Sequence, residues 1–147
     1  MGFGNVSERR SAPPQVGVSV VILALGPEGD TGNSAADSGN AANSAHSRLW
    51  LPLVKRVRQP FLGCWALPGG DLRSDRSLEQ SAYAALESTT DLHPRYLEQL
   101  YTFGGPTRSH GGLPMVSVVY WALVGQTEAA GFEDGDNVRW LPEDELP

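Results

Sequence analysis

Residues 68–92 read PGGDLRSDRSLEQSAYAALESTTDL, and they predict a loop followed by a helix. The loop opens with a rigid proline and with Gly69 and Gly70, two residues that are free to adopt positive φ. Ser77 and Gln80 form the pattern of a capping box, so we predict that the helix begins directly after Ser77. Small and apolar residues recur beyond it at helical spacing and predict one buried face. The residues of that face are Leu78, Ala82, Ala85, Leu86 and Thr89.

Several short segments around this helix predict strands. In the first, residues 16–25, valine and isoleucine alternate with other residues as they do in a half-buried strand. Further strands are predicted over residues 49–58, 96–103, 115–124 and 137–141. Short strands that surround one central helix indicate the α+β class.

Composition narrows the class of function. The chain has 147 residues, which is enough for one domain with a sizeable core, and a net charge of -6, which argues against nucleic-acid binding by this chain alone. Its single cysteine, Cys64, cannot form an internal disulfide and fits a reducing compartment. No metal-ligand spacing joins the three histidines, and no stretch reaches the length of a membrane span. We therefore expect a cytoplasmic protein without a membrane partner.

Three parts of the chain are distinguished by composition. Residues 1–15 are polar and proline-containing, and they predict a flexible N-terminal arm. Residues 16–147 form one domain, interrupted at residues 26–47 by a low-complexity insertion that is expected to be disordered. Arg9-Arg10 before the apolar run also resembles a short export signal, but the alternation of that run favours a strand.

The loop and helix of residues 68–92 resemble a Nudix box, the signature of a family that mostly hydrolyses nucleoside diphosphates linked to another moiety. The family pattern is G, five residues, E, seven residues, then R-E-U-x-E-E-x-G-U, where U is a bulky aliphatic residue. Gly70, Leu86 and Leu92 match it, whereas Asp91 stands at the glycine. The resemblance implies a Nudix-type α/β/α sandwich with a mixed sheet.

The catalytic positions of the pattern are not matched. Arg76 stands at the first glutamate and Ala84 at the arginine. Ala85, Ser88 and Thr89 stand at the glutamates that hold Mg²⁺ in the family. Magnesium prefers oxygen ligands, carboxylates among them, and these three side chains bring no negative charge. We therefore predict no catalytic residue, no metal ligand and no cofactor in the box.

Arg56 and Arg58 are candidate ligands for phosphate. Alternation in the second predicted strand places both on one face, about 7 Å apart, and guanidinium groups at that separation suit two neighbouring phosphates. A solvated edge face is the alternative interpretation. Trp65, further along, suits either a base or ribose pocket or the core.

Residues 97–124, with the run LEQLYTFG and a loop that contains Arg108, resemble one Nudix subgroup. It comprises the Nudix-related transcriptional regulators of NAD metabolism and their ADP-ribose pyrophosphatase relatives. The resemblance implies an ADP-ribose-like nucleotide sugar as ligand, a tendency to form homodimers, and a DNA-binding winged-helix domain that would follow residue 147. The ligand-binding residues predicted on these grounds are Arg56, Arg58, Gly69, Gly70, Phe103 and Arg108.

Two classes of function remain open. The first is a catalytically degenerate Nudix domain that binds a nucleotide diphosphate sugar, as the sensor part of a transcriptional regulator. The second is a Nudix hydrolase of the ADP-ribose pyrophosphatase type that uses Mg²⁺ and takes its ligands from outside the box, such as Glu133, Asp134 or Asp136. Glu87, in the last turns of the helix, is expected to face solvent. A structural role without a ligand is a third option.

Overall fold

A computed structural model describes residues 13–26, 48–59, 61–108, 114–125 and 133–147. Most of the predicted N-terminal arm and all but the first residue of the predicted insertion lie outside the described residues. The strands, in chain order, are β1 (Gln15–Gly26), β2 (Arg48–Lys55), β3 (Trp65–Ala66), β4 (Gly69–Asp71), β5 (Glu98–Gly104), β6 (Met115–Val124) and β7 (Val138–Pro142). One α-helix, α1 (Leu78–Thr89), lies between β4 and β5, and short 3₁₀ turns occupy Pro106–Arg108 and Glu143–Glu145.

Strand β1 is at the centre of a seven-stranded mixed sheet. It runs parallel to β6 over ten paired residues, and β5 pairs antiparallel with β6 at the sheet edge. On the opposite side, the first half of β1 pairs with β4 and its last residues pair with β2. Strand β2 in turn pairs with β3 and β7. The predicted α+β class and mixed sheet are confirmed, and the described residues form one helical layer, α1.

The core lies between α1 and one face of the sheet. Alternate residues of β1 point toward the helix, and Val20, Ile22 and Ala24 are fully buried there. Ala82 and Leu86 of α1 pack against them. Complete burial of a valine, leucine or isoleucine side chain contributes about 1.5–3 kcal/mol to stability, so this face anchors α1 on the sheet.

Both ends of α1 are capped by side chains. The Ser77 hydroxyl accepts a hydrogen bond from the Gln80 backbone N–H at 3.1 Å, and the Gln80 side chain accepts one from the Ser77 N–H at 2.9 Å. The predicted capping box and helix start are therefore confirmed. At the other end Thr90 donates its hydroxyl to the Leu86 carbonyl at 2.9 Å and accepts from the Leu92 N–H at 3.2 Å. A threonine thus closes the helix without a glycine.

Two local predictions are wrong. Gly69 and Gly70 were predicted to lie in a loop, but they lie in β4 and pair with β1, and neither adopts positive φ. The second strand ends at Lys55 and not at residue 58, since the chain turns soon afterwards through Phe61 and Gly63, with φ of 66° and 84°. Two backbone hydrogen bonds close the turn. The Arg56 N–H donates to the Cys64 carbonyl oxygen at 2.9 Å, and the Gly63 N–H donates to the Arg56 carbonyl oxygen at 2.8 Å.

The remaining strand predictions agree with the structure to within two residues at each end. Strand β6 has the predicted bounds, β1 is one residue longer at each end, and β7 is shifted by one residue. Strand β5 begins at Glu98, because Leu97 turns into the core. Within the described ranges, no helix is both long and apolar enough to span a membrane.

Candidate functional site

A cavity of about 1200 Å³ opens where β1, β4 and the end of β2 approach one face of α1. We call it the central cavity. Its walls are the start of β1, residues 54–58 at and beyond the end of β2, β4 with the loop that follows it, and the exposed side of α1. It therefore lies next to the loop and helix of residues 68–92 that the sequence singled out.

Positive charge is concentrated on this cavity. Among the residues that the structure describes, five lysines and arginines line it, against two acidic residues, Asp71 and Glu87. The five cationic residues are Lys55, Arg56, Arg58, Arg73 and Arg76. A cleft lined by one sign of charge attracts ligands of the other sign. The cavity is therefore suited to an anion, although the chain as a whole is acidic.

Arg56 and Arg58 both lie on the central cavity. The strand alternation that predicted their shared face does not extend to them, because β2 ends at Lys55 and Val57 also lines the cavity. Arg56 is half-buried and Arg58 is exposed. That either one contacts a ligand stays a prediction.

Gly69 and Gly70 form the cavity wall along β4. A Cβ atom on Gly69 would meet the Val18 carbonyl oxygen, whereas one on Gly70 would have no atom within 4 Å. Gly69 is thus required by the close approach of β4 to β1. Gly70 leaves open space beside the backbone on the cavity side.

The face of α1 toward the cavity carries Ala84, Ala85, Ser88 and Thr89. The hydroxyls of Ser88 and Thr89 both donate hydrogen bonds to the Ala85 carbonyl oxygen, so their protons are satisfied within the helix. Thr89 was predicted to lie on the buried face of the helix, but it is half-buried and lines the cavity. Glu87 is exposed, as predicted, and lies at the cavity rim.

These residues do not fit a magnesium ion held as the family resemblance implies. Within the described part of the chain, no three His, Cys, Asp or Glu side chains come together as a metal site. Neither Glu133 nor Asp134 nor Asp136 is among the described residues that line the central cavity. Asp134 instead accepts a hydrogen bond from the Trp140 backbone N–H at 2.7 Å. Glu133 lines an adjoining groove of about 350 Å³ that shares Glu87, Ser88 and Thr89 with the central cavity.

Phe103 and Arg108 lie beside the cavity and not on its wall. The Arg108 guanidinium donates to the Ser117 hydroxyl at 2.9 Å, and Ser117 lines the cavity. The same guanidinium lies 5.5 Å from the centre of the Phe103 ring, within the range of a cation–π contact. Phe103 packs edge-on against Tyr101 with ring centres 4.8 Å apart. These contacts hold an aromatic surface at the edge of the site.

Lys55, Arg73 and Arg76 were not predicted as residues of the site, although all three line the cavity. Arg76 could have been predicted, because it stands where the family pattern has a glutamate and so reverses the charge at that position. Arg73 and Lys55 carried no pattern of their own, and the fold brings them to the cavity. Trp65 is half-buried in β3 and is not among the described residues of the cavity wall.

Comparisons with known proteins agree with the fold. No family model matches the chain. An ADP-ribose pyrophosphatase of Methanocaldococcus jannaschii is 28% identical over 95 residues, which are 65% of this chain and 56% of that protein.

Among solved structures, Shewanella oneidensis NrtR is 29% identical with a TM-score of 0.66, over 90% of this chain and 56% of NrtR. The NUDIX domain of that protein in complex with ADP ribose is 26% identical with a TM-score of 0.64, over 99% of this chain and 86% of that domain. NrtR has also been solved with a 27mer DNA, and in that structure it is 30% identical with a TM-score of 0.62, over 90% of this chain and 54% of NrtR. The chain therefore spans little more than half the length of the pyrophosphatase and of NrtR, and the resemblance to Nudix domains is confirmed.

Proposed function

Because the chain has the Nudix fold, we propose that it is a catalytically degenerate Nudix domain that binds a nucleotide diphosphate sugar such as ADP-ribose. One observation carries this proposal: the central cavity collects cationic side chains, while the helix face beside it has no carboxylate at Ala85, Ser88 or Thr89. A cavity of this kind favours retention of a diphosphate over its metal-assisted hydrolysis.

The ligand's chemistry matches the distribution of groups around the cavity. The diphosphate of ADP-ribose carries two negative charges, for which Arg56 and Arg58 are the proposed partners, since guanidinium groups bind phosphate through paired N–H donors. Gly69 and Gly70 provide a backbone wall that a ligand can approach. The exposed Phe103 ring, held beside Arg108, supplies an aromatic surface for the adenine.

The wider role is part of the same proposal. NrtR has been solved in complex with a 27mer DNA, and this supports the hypothesis that the domain is the sensor part of a transcriptional regulator. The net charge of -6 would repel the phosphate backbone, so we expect no DNA binding by this chain alone. A cytoplasmic location and a homodimer belong to the proposal as well.

Calorimetric titration with ADP-ribose tests the binding function. Arg58→Ala should weaken binding about ten- to hundredfold, because loss of a charge-assisted hydrogen bond costs about 1.5–3 kcal/mol. Arg139→Ala is the matched control, since Arg139 is exposed on β7 and is not among the described residues of the cavity wall. An unchanged dissociation constant for Arg58→Ala would refute this assignment, and absence of binding by the wild-type chain would refute the proposed function.

The aromatic side of the site has its own test. Phe103→Ala should weaken the binding of ADP-ribose about five- to hundredfold, which is the range expected for loss of base stacking on an aromatic ring. The same variant should leave the affinity for ribose 5-phosphate unchanged, because that ligand has no base. Equal weakening of both ligands would show that Phe103 supports the cavity structurally and does not contact the base.

A further inference from the structure

We propose that this site holds the diphosphate without a divalent metal ion, and that Arg73 and Arg76 supply the charge that Mg²⁺ supplies in a metal-dependent pyrophosphatase. The inference rests on the proposed function, since it concerns how the same ligand is held. It assigns Arg73 and Arg76, in the loop between β4 and α1, as ligand-binding residues in addition to Arg56 and Arg58.

The acidic groups on the described wall of the cavity do not form a metal site. Asp71 and Glu87 are the two carboxylates on the described part of its wall, and they lie on different elements, β4 and α1. The helix face on the cavity offers a methyl group at Ala85 and the hydroxyls of Ser88 and Thr89. Both hydroxyls already donate hydrogen bonds to the Ala85 carbonyl oxygen. A hard cation that requires near-octahedral oxygen coordination would have to take most of its ligands from water and phosphate.

The loop before α1 carries two cations, and one of them, Arg76, stands where the resemblance places the first glutamate of the pattern. The Arg76 backbone N–H donates to the Arg73 carbonyl at 3.3 Å, so one turn holds both residues together, and both line the cavity. Arg73 pairs with Asp75 at 3.3 Å, but the two side chains are 65% and 61% exposed. A surface pair of this kind is weak, so the guanidinium is available to a bound phosphate.

The charge balance leads to the same conclusion. The two negative charges of the diphosphate are matched by the two positive charges of Arg73 and Arg76, before Lys55, Arg56 and Arg58 are considered. A divalent cation would enter a cavity that already has an excess of positive charge, and like charges repel one another there. Added Mg²⁺ should therefore not strengthen binding of the ligand.

Calorimetric titration of the protein with ADP-ribose, in a buffer with EDTA and again in a buffer with millimolar Mg²⁺, tests the inference. The two dissociation constants should agree within about twofold, and Arg73→Gln and Arg76→Gln should each weaken binding about tenfold in EDTA. Arg95→Gln is the control, because Arg95 is exposed and is not among the described cavity residues. Thermal melts of each variant confirm that it is folded.

Glu87→Gln gives an independent test through the sign of its effect. If cations alone hold the ligand, removal of this acid relieves repulsion and tightens binding about threefold, with or without Mg²⁺. If a metal holds the ligand, the same change weakens binding in Mg²⁺. Binding that is lost in EDTA, restored by Mg²⁺ and weakened by Glu87→Gln would overturn this inference and leave the proposed function standing. Absence of binding in both buffers would instead refute the proposed function, and this inference with it.

Discussion

A Cβ atom built on Gly69 would lie 2.5 Å from the carbonyl oxygen of Val18. The contact arises because β4 pairs antiparallel with the first half of β1, with Ser19 opposite Gly69. The next residue differs, since a Cβ on Gly70 would have no atom within 4 Å. Two adjacent glycines on one wall of the cavity therefore have different roles.

Gly69→Ala should destabilise the domain by about 1–3 kcal/mol, the usual cost of forcing extra atoms into a closely packed site. Thermal unfolding measures this cost. Gly70→Ala is the matched control and should melt close to the wild type. Equal melting temperatures for both variants would mean that β4 can move away from β1 without cost.

The contrast between the two glycines shows what the sequence can and cannot predict. Ser77 and Gln80 predicted the helix start correctly, because a capping box acts over three residues and needs no distant partner. Strand β4 was not predicted, because a Gly-Gly-Asp segment has low strand propensity and pairs only through its contact with β1.

The candidate site shows the same division. The sequence predicted the helix face, and it shows that the carboxylates of the Nudix box are missing. It did not predict that Lys55, Arg73 and Arg76 would meet Arg56 and Arg58 at one cavity, since two separate segments, residues 55–58 and 73–76, contribute them. Such a cluster depends on the tertiary fold and has no periodicity along the chain.

A surface ion pair makes stability depend on pH. Arg48 donates hydrogen bonds to the carboxylate of Asp144 and lies 3.5 Å from that of Glu145, which fastens the last 3₁₀ turn to β2. The hydrogen bond from Arg48 lowers the pKa of Asp144 below its usual 3.8. A carboxyl with a lowered folded-state pKa contributes stability above its unfolded pKa and loses that contribution as the pH falls through the folded value.

Asp144→Asn should therefore lower the melting temperature slightly at neutral pH, because a solvent-exposed pair contributes little. The difference from wild type should disappear below the lowered pKa of Asp144. Melting curves at both pH values measure it, with Glu98→Gln on the exposed edge strand as control. A difference that persists in acid would show that Asp144 acts through a contact other than its charge.

The residues that flank the segment between β1 and β2 are neighbours in the sheet, because Gly26 pairs with Arg48 across an antiparallel ladder. Deleting residues 31–45 and joining the ends should change the melting temperature little, because loop-closure entropy varies slowly with length. A large fall in melting temperature would show that the deleted residues stabilise the domain, contrary to the prediction from their composition.

We propose that this domain binds ADP-ribose and leaves it intact. The most direct measurement is incubation of the purified chain with ADP-ribose and Mg²⁺ or Mn²⁺, with chromatographic analysis of the nucleotide after calorimetry has shown saturation. We predict full recovery of ADP-ribose with no AMP, because the helix face has no carboxylate at Ala85, Ser88 or Thr89. AMP release at an ordinary enzymatic rate, abolished by Glu133→Gln or Asp136→Asn, would contradict the account and establish a hydrolase with ligands outside the box.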